Sequence, residues 1–181
     1  MDKVILLNQL EIQVENHLQV VIKDFQNLPH DILLKPSATG GWSIAQCLEH
    51  LNTYGHYYLP LFEKGLAQST VPDSNVIESS WLGKKAIDSM NPATGTKKFK
   101  AFKNYIPEVN LDAQKVVAEF IHQQERLLQI LRMSQSKNIQ AIKIPISIAK
   151  FLKLNLGDAL QFLIAHNERH IQQANRNLMR D

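Results

Sequence analysis

His166 and His170 stand four residues apart in the stretch LNLGDALQFLIAHNERHIQQANR. On a helix this spacing stacks two imidazoles on one face, about 5–6 Å apart at Cβ, so that they can share one metal ion. The residues between them, Asn167, Glu168 and Arg169, do not make the zincin pattern. Glu168 also lies roughly 200° round the helix from His166, so no general base follows from that analogy. An i,i+4 histidine pair is common on ordinary helix surfaces and in satisfied cores. What lifts this one is its direction. The stripe Leu156, Ala159, Leu160, Leu163, His166, His170, Gln173, Asn177 turns from apolar to polar halfway along without losing its period, so both histidines point inward. A third inward histidine, His50, follows Ser43 by seven residues in GGWSIAQCLEHL. Three neutral imidazoles converging from two helices make a site with open positions for water or substrate.

Three neutral ligands leave a divalent cation its full charge. In a water-poor pocket that charge favours an anion in the open position: a water acidified towards about pH 7, or a thiol bound as thiolate. Neither chemistry requires a protein base, and none can be named. Cys47, one turn before His50 on the same face, either approaches the metal or packs as a small core residue, the commoner behaviour of a lone buried cysteine. Tyr54 and Tyr58, one and two turns after His50, line the pocket or simply pack, with packing the weightier reading. Gln173 and Asn177 either orient ligands and substrate or end the helix as polar residues. Of the remaining histidines, His30 falls in a connector, His56 and His122 face away from their helices' apolar stripes, and His17 flanks the stripe of the first helix, where it could point inward.

Four amphipathic segments must position these groups. In the first, Leu7, Leu10, Val14, Leu18, Val21 and Phe25 recur at helical steps up to Pro29. The second opens on a capping box, Ser43 with Gln46, anchored by Trp42. It carries Ile44, Cys47, Leu48, Leu51, Tyr54 and Tyr58 inward and reaches about Leu66 if Pro60 only kinks it. The third runs from an N-cap at Asn110 to about Met133, with Val116, Val117, Phe120, Gln124, Leu127 and Leu131 inside. The fourth starts at Asn155, with Asp158 in its first turn. Residues 30–41, HDILLKPSATGG, are a connector. Residues 70–109 form a long one, and IKIPI is a short extended piece before the last helix. The expected fold is an all-α four-helix bundle with long crossover connections, one domain spanning 1–181.

With 181 residues the chain can bury a sizeable core, and 44% hydrophobic with 20% charged residues describes a globular protein, not a disordered one. No apolar run approaches the roughly 18 residues of a membrane span. The N-terminus lacks the continuous apolar region of a secretory signal. The single cysteine precludes an intrachain disulfide. These features favour the cytoplasm. A net charge of +3 does not argue for nucleic acid. Lys84, Lys85, Lys97, Lys98, Lys100 and Lys103 crowd the long connector. They read as a solvated segment before an anion-binding one, because no aromatic stacking pattern accompanies them.

A Trp-Ser helix start with a histidine seven residues after the serine, followed far downstream by H-x-x-x-H-x-x-Q, resembles the DinB-like four-helix metalloprotein superfamily. The matching positions are Ser43, His50, His166, His170 and Gln173. The resemblance implies an up-down-down-up bundle, commonly dimeric, with a divalent metal, usually zinc or nickel, on His50, His166 and His170. It implies a small-molecule substrate. It further implies, for some members, thiol-dependent S-transfer or isomerisation with a low-molecular-weight thiol. The alternatives are a metal-dependent hydrolase and a non-catalytic metal-binding or protein-interaction bundle. The resemblance says little about the lysine-rich connector.

Overall fold

The computed structural model describes residues 1–38, 40–91 and 101–178. The four expected segments are its four long helices: α1 (Lys3–Val20), α3 (Ile44–Gln68), α5 (Ala113–Ser134) and α6 (Leu156–Leu178). Three smaller pieces add to them. A short helix α2 (His30–Leu34) follows Pro29, a helix α4 (Trp81–Met90) lies in the long connector, and a hairpin pairs β1 (Lys143–Ile146) with β2 (Ala149–Asn155). The chain is therefore mostly helical with a two-stranded antiparallel sheet. The extended IKIPI stretch is real, and it has a partner strand that the sequence reading did not anticipate. Lys97, Lys98 and Lys100 lie outside the described residues. Lys84 and Lys85 are on α4, and Lys103 opens a 3₁₀ turn, Lys103–Tyr105.

Local chemistry explains the boundaries. The Ser43 hydroxyl accepts from the Gln46 backbone N–H at 3.1 Å, and the Gln46 side chain accepts from the Ser43 N–H at 3.0 Å, so the capping box forms. Pro60 sits on the exposed face of α3, where water can meet the carbonyl it leaves unbonded, and the helix runs through it. The cap of α5 is Asp112, not Asn110: its carboxylate accepts from the Lys115 N–H and pairs with the Lys115 ammonium, which a neutral amide could not do. Asn155 caps α6, its side-chain oxygen accepting from Asp158 N–H at 2.7 Å. Past Val20, α1 widens into a π turn, Val21–Phe25, whose two end residues stay fully buried.

Both α1 and α3 pack against both α5 and α6, which places α1 and α3 at opposite corners of the bundle. The pairings run in step between α3 and α5: Asn52 meets Val116 and Glu63 meets Arg126. Between α3 and α6 they run in opposition, Trp42 meeting Asn177, His50 meeting His166 and Tyr58 meeting Phe162. Between α1 and α5 they also oppose, Lys3 meeting Gln135 and Glu11 meeting Arg132. At Gly55, α3 comes so close to α5 that a Cβ would run into the Gln123 amide.

The apolar interior divides into two clusters. One gathers Tyr54, Tyr58, Phe62, Leu127, Leu160 and Leu163; the other gathers Phe25, Cys47, Leu51, Val117, Phe120 and Ile171. At their boundary lie buried polar side chains from every long helix: His17, His50, Asn52, Gln123, Gln124, His166 and Asn167. Several are tied together. Asn167 donates to Gln124 at 3.1 Å, Gln123 donates to the Asn52 carbonyl, and Asn52 donates to the Val116 carbonyl at 3.0 Å. Bonding of this kind is the condition on which buried polar groups are tolerated. Among the described residues, no helix is long and apolar enough to cross a membrane.

Helix α4 is fastened to α6 at both ends. Asp158 accepts from the backbone and hydroxyl of Ser80, the α4 N-cap, at 3.1 and 3.0 Å, while Arg169 donates to the Ser89 carbonyl at 3.1 Å. A Cβ at Gly83 would collide with the buried Asp158 carboxylate. Gly83→Ala is therefore expected to destabilise the fold by about 1–3 kcal/mol, through overpacking and a displaced cap. Denaturant unfolding measures this, and an unchanged midpoint would contradict the packing described.

Candidate metal centre

His50 projects from the second turn of α3 and His166 and His170 from the middle of α6, where the two helices pack. One side-chain nitrogen from each lies within 4.8 Å of the others. The rings stand edge to face, with centroids 5.0 Å apart for His50–His166, 4.6 Å for His50–His170 and 4.8 Å for His166–His170. His50 and His166 are buried and His170 is half-buried.

The outer nitrogens fix how two of the rings face the centre. His50 Nδ1–H donates to the Tyr105 carbonyl at 2.7 Å, and His170 Nδ1–H donates to the Gln173 amide oxygen at 3.0 Å. Each bond places the proton on Nδ1 and leaves Nε2 with a bare lone pair, as the outer partner of a metal-ligating histidine does. The Nε2 atoms of His50 and His166 lie 3.2 Å apart. Two lone pairs facing each other at that distance repel unless a proton or a cation sits between them. The gap is shorter than two zinc–nitrogen bonds of about 2.0–2.1 Å each, so a single ion can touch both nitrogens. The outer Nδ1 of His166 is buried with no hydrogen-bond partner among the described residues.

All three rings are held neutral. Burial, then the fields of His170 and His50, keep His166 far below the ordinary imidazole range. Burial and the neighbouring His50 bring His170 down to about 3, and burial lowers His50 against the opposing effect of its bond to Tyr105. Neutral imidazole is the ligating form, so the donor set fits a divalent transition-metal ion.

Aromatic rings wall the cluster. Trp42 stacks on His170 at 5.7 Å and lies 4.9 Å from His50, while Tyr54 meets His166 edge-on at 4.5 Å. Burial keeps the Tyr54 phenol protonated well above its ordinary range. The cluster opens into a cavity of about 1060 Å³ bounded by the end of α6, the loop before α3 and the last residues of α4. Tyr54, Gln173 and Asn177 line it, and Asn177 donates to the Trp42 carbonyl at 2.9 Å, which ties the start of α3 to the end of α6. Cys47 does not line it. That thiol is fully buried among Ile44, Leu48 and Ala174, with its pKa pushed up to about 12 by burial. One turn from His50 is near in sequence, yet the side chain enters the apolar cluster.

The remaining histidines are elsewhere. His56 and His122 are exposed, His30 is the exposed first residue of α2, and His17 is buried against Glu168 at 2.8 Å. That bond holds the Glu168 carboxyl below its ordinary range. Sequence reasoning missed Tyr105, whose contribution is a backbone carbonyl that any residue could supply. It also missed the contact of Trp42 with the imidazoles, which an aromatic residue beside a helix start does not announce.

A helical bundle with three neutral, inward histidines at one end is a class for which comparison with known proteins is informative. The chain belongs to the DinB superfamily, whose family profile matches residues 13–174. Among solved structures it is similar to YfiT from Bacillus subtilis, described as a probable metal-dependent hydrolase with an unusual four-helix bundle topology. The TM-score is 0.60 at 18% identity, over 96% of this chain and 86% of that one. No curated protein matches the chain.

The lowered histidines give the metal-free protein a pH signature. As pH falls through about 6.5 the unfolded imidazoles take up protons and the folded ones do not, so the unfolded state binds more protons and stability drops. The loss continues, for His170, down to about 3. Urea midpoints in chelator should fall between about pH 7 and pH 5, above the range where the carboxylates titrate, and fall less in His170→Gln.

Proposed function

We propose that this protein is a metal-dependent enzyme in which His50, His166 and His170 hold a divalent ion, zinc or nickel, and that it transfers a small thiol to an electrophilic carbon. The reading is carried by one observation: three neutral imidazole donors face a cavity whose described lining contains no Asp or Glu. Among the described residues this lining offers no carboxylate to act as general base. When bound, the ion supplies the positive charge that favours the anionic form of a thiol or water beside it.

The chain's own residues do the rest. Gln173 and the Tyr105 carbonyl hold the imidazole protons outward. Trp42 and Tyr54 keep the inner wall dry, which strengthens every charge interaction there. The protonated Tyr54 phenol is a hydrogen-bond donor, not a base. In the transfer, a sulfur–carbon bond forms as the bond from that carbon to its leaving group breaks, and the thiol proton departs with the leaving group. The antiparallel and in-step pairings of the long helices support an up-down-down-up course. The exposed Val4, Ile5 and Ile12 on α1 support a homodimer. A cytoplasmic setting, where low-molecular-weight thiols stay reduced, belongs to the same reading.

Hydrolysis is the second reading, favoured by the description of YfiT. The two separate on one comparison: the metal-loaded protein given an activated electrophile with and without a small thiol. Thiol-dependent turnover with a sulfur-linked product is expected, and turnover that ignores the thiol would move the assignment to hydrolysis. His166→Ala should bring bound metal to background by elemental analysis while its helical circular dichroism stays largely intact. Retention of the metal would overturn the ligand assignment.

A further inference from the structure

The mouth of the same cavity carries a charge pattern that the metal reading does not use. Its charged lining residues are Lys35, Arg169 and Arg176, with no described acid among them. Arg169 and Arg176 are seven residues apart, which on a helix returns to nearly the same face some 10 Å further along. They form a ridge beside the stripe that holds His166, His170 and Gln173. The two differ in how they are held. Arg169 donates to the Ser89 carbonyl at the end of α4, whereas Arg176 is exposed and makes no hydrogen bond or ion pair among the described residues. A guanidinium presented to a concave wall of one sign is a ready partner for an acidic group, to which it offers two parallel donors.

We propose that the molecule entering this site is a small organic anion, whose acidic group pairs with Arg176 at the cavity mouth while its other end reaches the three imidazoles. Arg169, fixed by α4, contributes field and Arg176 contributes the contact. This rests on the reading of the cluster as a small-molecule site and names the chemical class it takes. It also assigns a role to the last turn of α6 beyond its polar stripe: the turn selects charge, and the middle of the helix does the chemistry.

The test uses cobalt-loaded protein and two thiols of equal chain length, 3-mercaptopropanesulfonate and 3-mercaptopropanol. The sulfonate is a poor metal ligand, so the thiol end and the anionic end report separately. Binding is followed by the thiolate-to-cobalt absorption band. Wild-type protein is expected to prefer the sulfonate by about tenfold, as one charge-assisted pair gives. Arg176→Gln should remove that preference while cobalt content and affinity for the neutral thiol stay unchanged, and Arg176→Lys should restore part of it. Equal affinity for the two thiols in wild type, or a preference that survives Arg176→Gln, overturns the proposal. If neither thiol gives the band although cobalt is bound, the thiol chemistry fails by itself. The anion assignment is then decided by 1-propanesulfonate against 1-propanol, read from Trp42 fluorescence in Trp81→Phe protein. Saturable binding of the sulfonate alone, lost in Arg176→Gln, sustains it, and indifference to charge overturns it.

Discussion

Burying three imidazoles side by side is the constraint around which this bundle is arranged. Desolvation forbids them charge, and their mutual closeness forbids it again. A neutral ring still brings one donor and one acceptor that must be matched. The solution is a polar seam between two apolar clusters, to which all four long helices contribute. His17 bonds outward to Glu168, Asn167 reaches Gln124, and His50 is held by a carbonyl from the far connector. The apolar clusters hold the helices together, and the seam restricts how they can be placed. A one-turn slip of α6 would take Asn167 from Gln124 and His166 from His50 at once.

The four helices were legible because their apolar positions recur at 3.6 residues and their caps are local: Ser43 with Gln46, and Asn155 with Asp158, are decided within a few residues. The inward direction of His166 and His170 follows from the same period, and His50 shares it. What stayed hidden is decided by partners distant in sequence. Helix α4 depends on Asp158 and Arg169, both on α6. Strand β2 reads as nothing in particular, AKFLKLN, until Ile144 and Leu154 pair across the hairpin and are buried together. The cap at Asp112 in place of Asn110 was a choice between two acceptable residues, made by the charge of Lys115. Cys47 shows the limit of helical-wheel reasoning: one turn and one face place a residue near a site without saying which side of the seam it falls on.

The donor set also bears on reaction type. A carboxylate ligand would neutralise part of a divalent ion's charge, and a carboxylate beside it would offer a base. Here neither is described, and the imidazoles are surrounded by an amide, a backbone carbonyl and aromatic faces. Such surroundings would leave a bound ion electron-poor and offer its partner no described proton acceptor, which on the proposed reading suits a nucleophile that ionises easily. A thiol, with its lower pKa, meets that demand more readily than water.

The bond from His50 to the Tyr105 carbonyl joins the site to the segment between α4 and α5. Main-chain oxygen cannot be removed by exchanging a side chain, so no single substitution at position 105 deletes this contact. Changes in chain length can. An inserted or deleted residue in the stretch just before α5 would shift the carbonyl away from the imidazole and release its proton to either nitrogen. Within this family, substitutions at that position should therefore be tolerated far better than gaps. The spacing from Tyr105 to the start of α5 is a quieter signature of the site than any side chain in it.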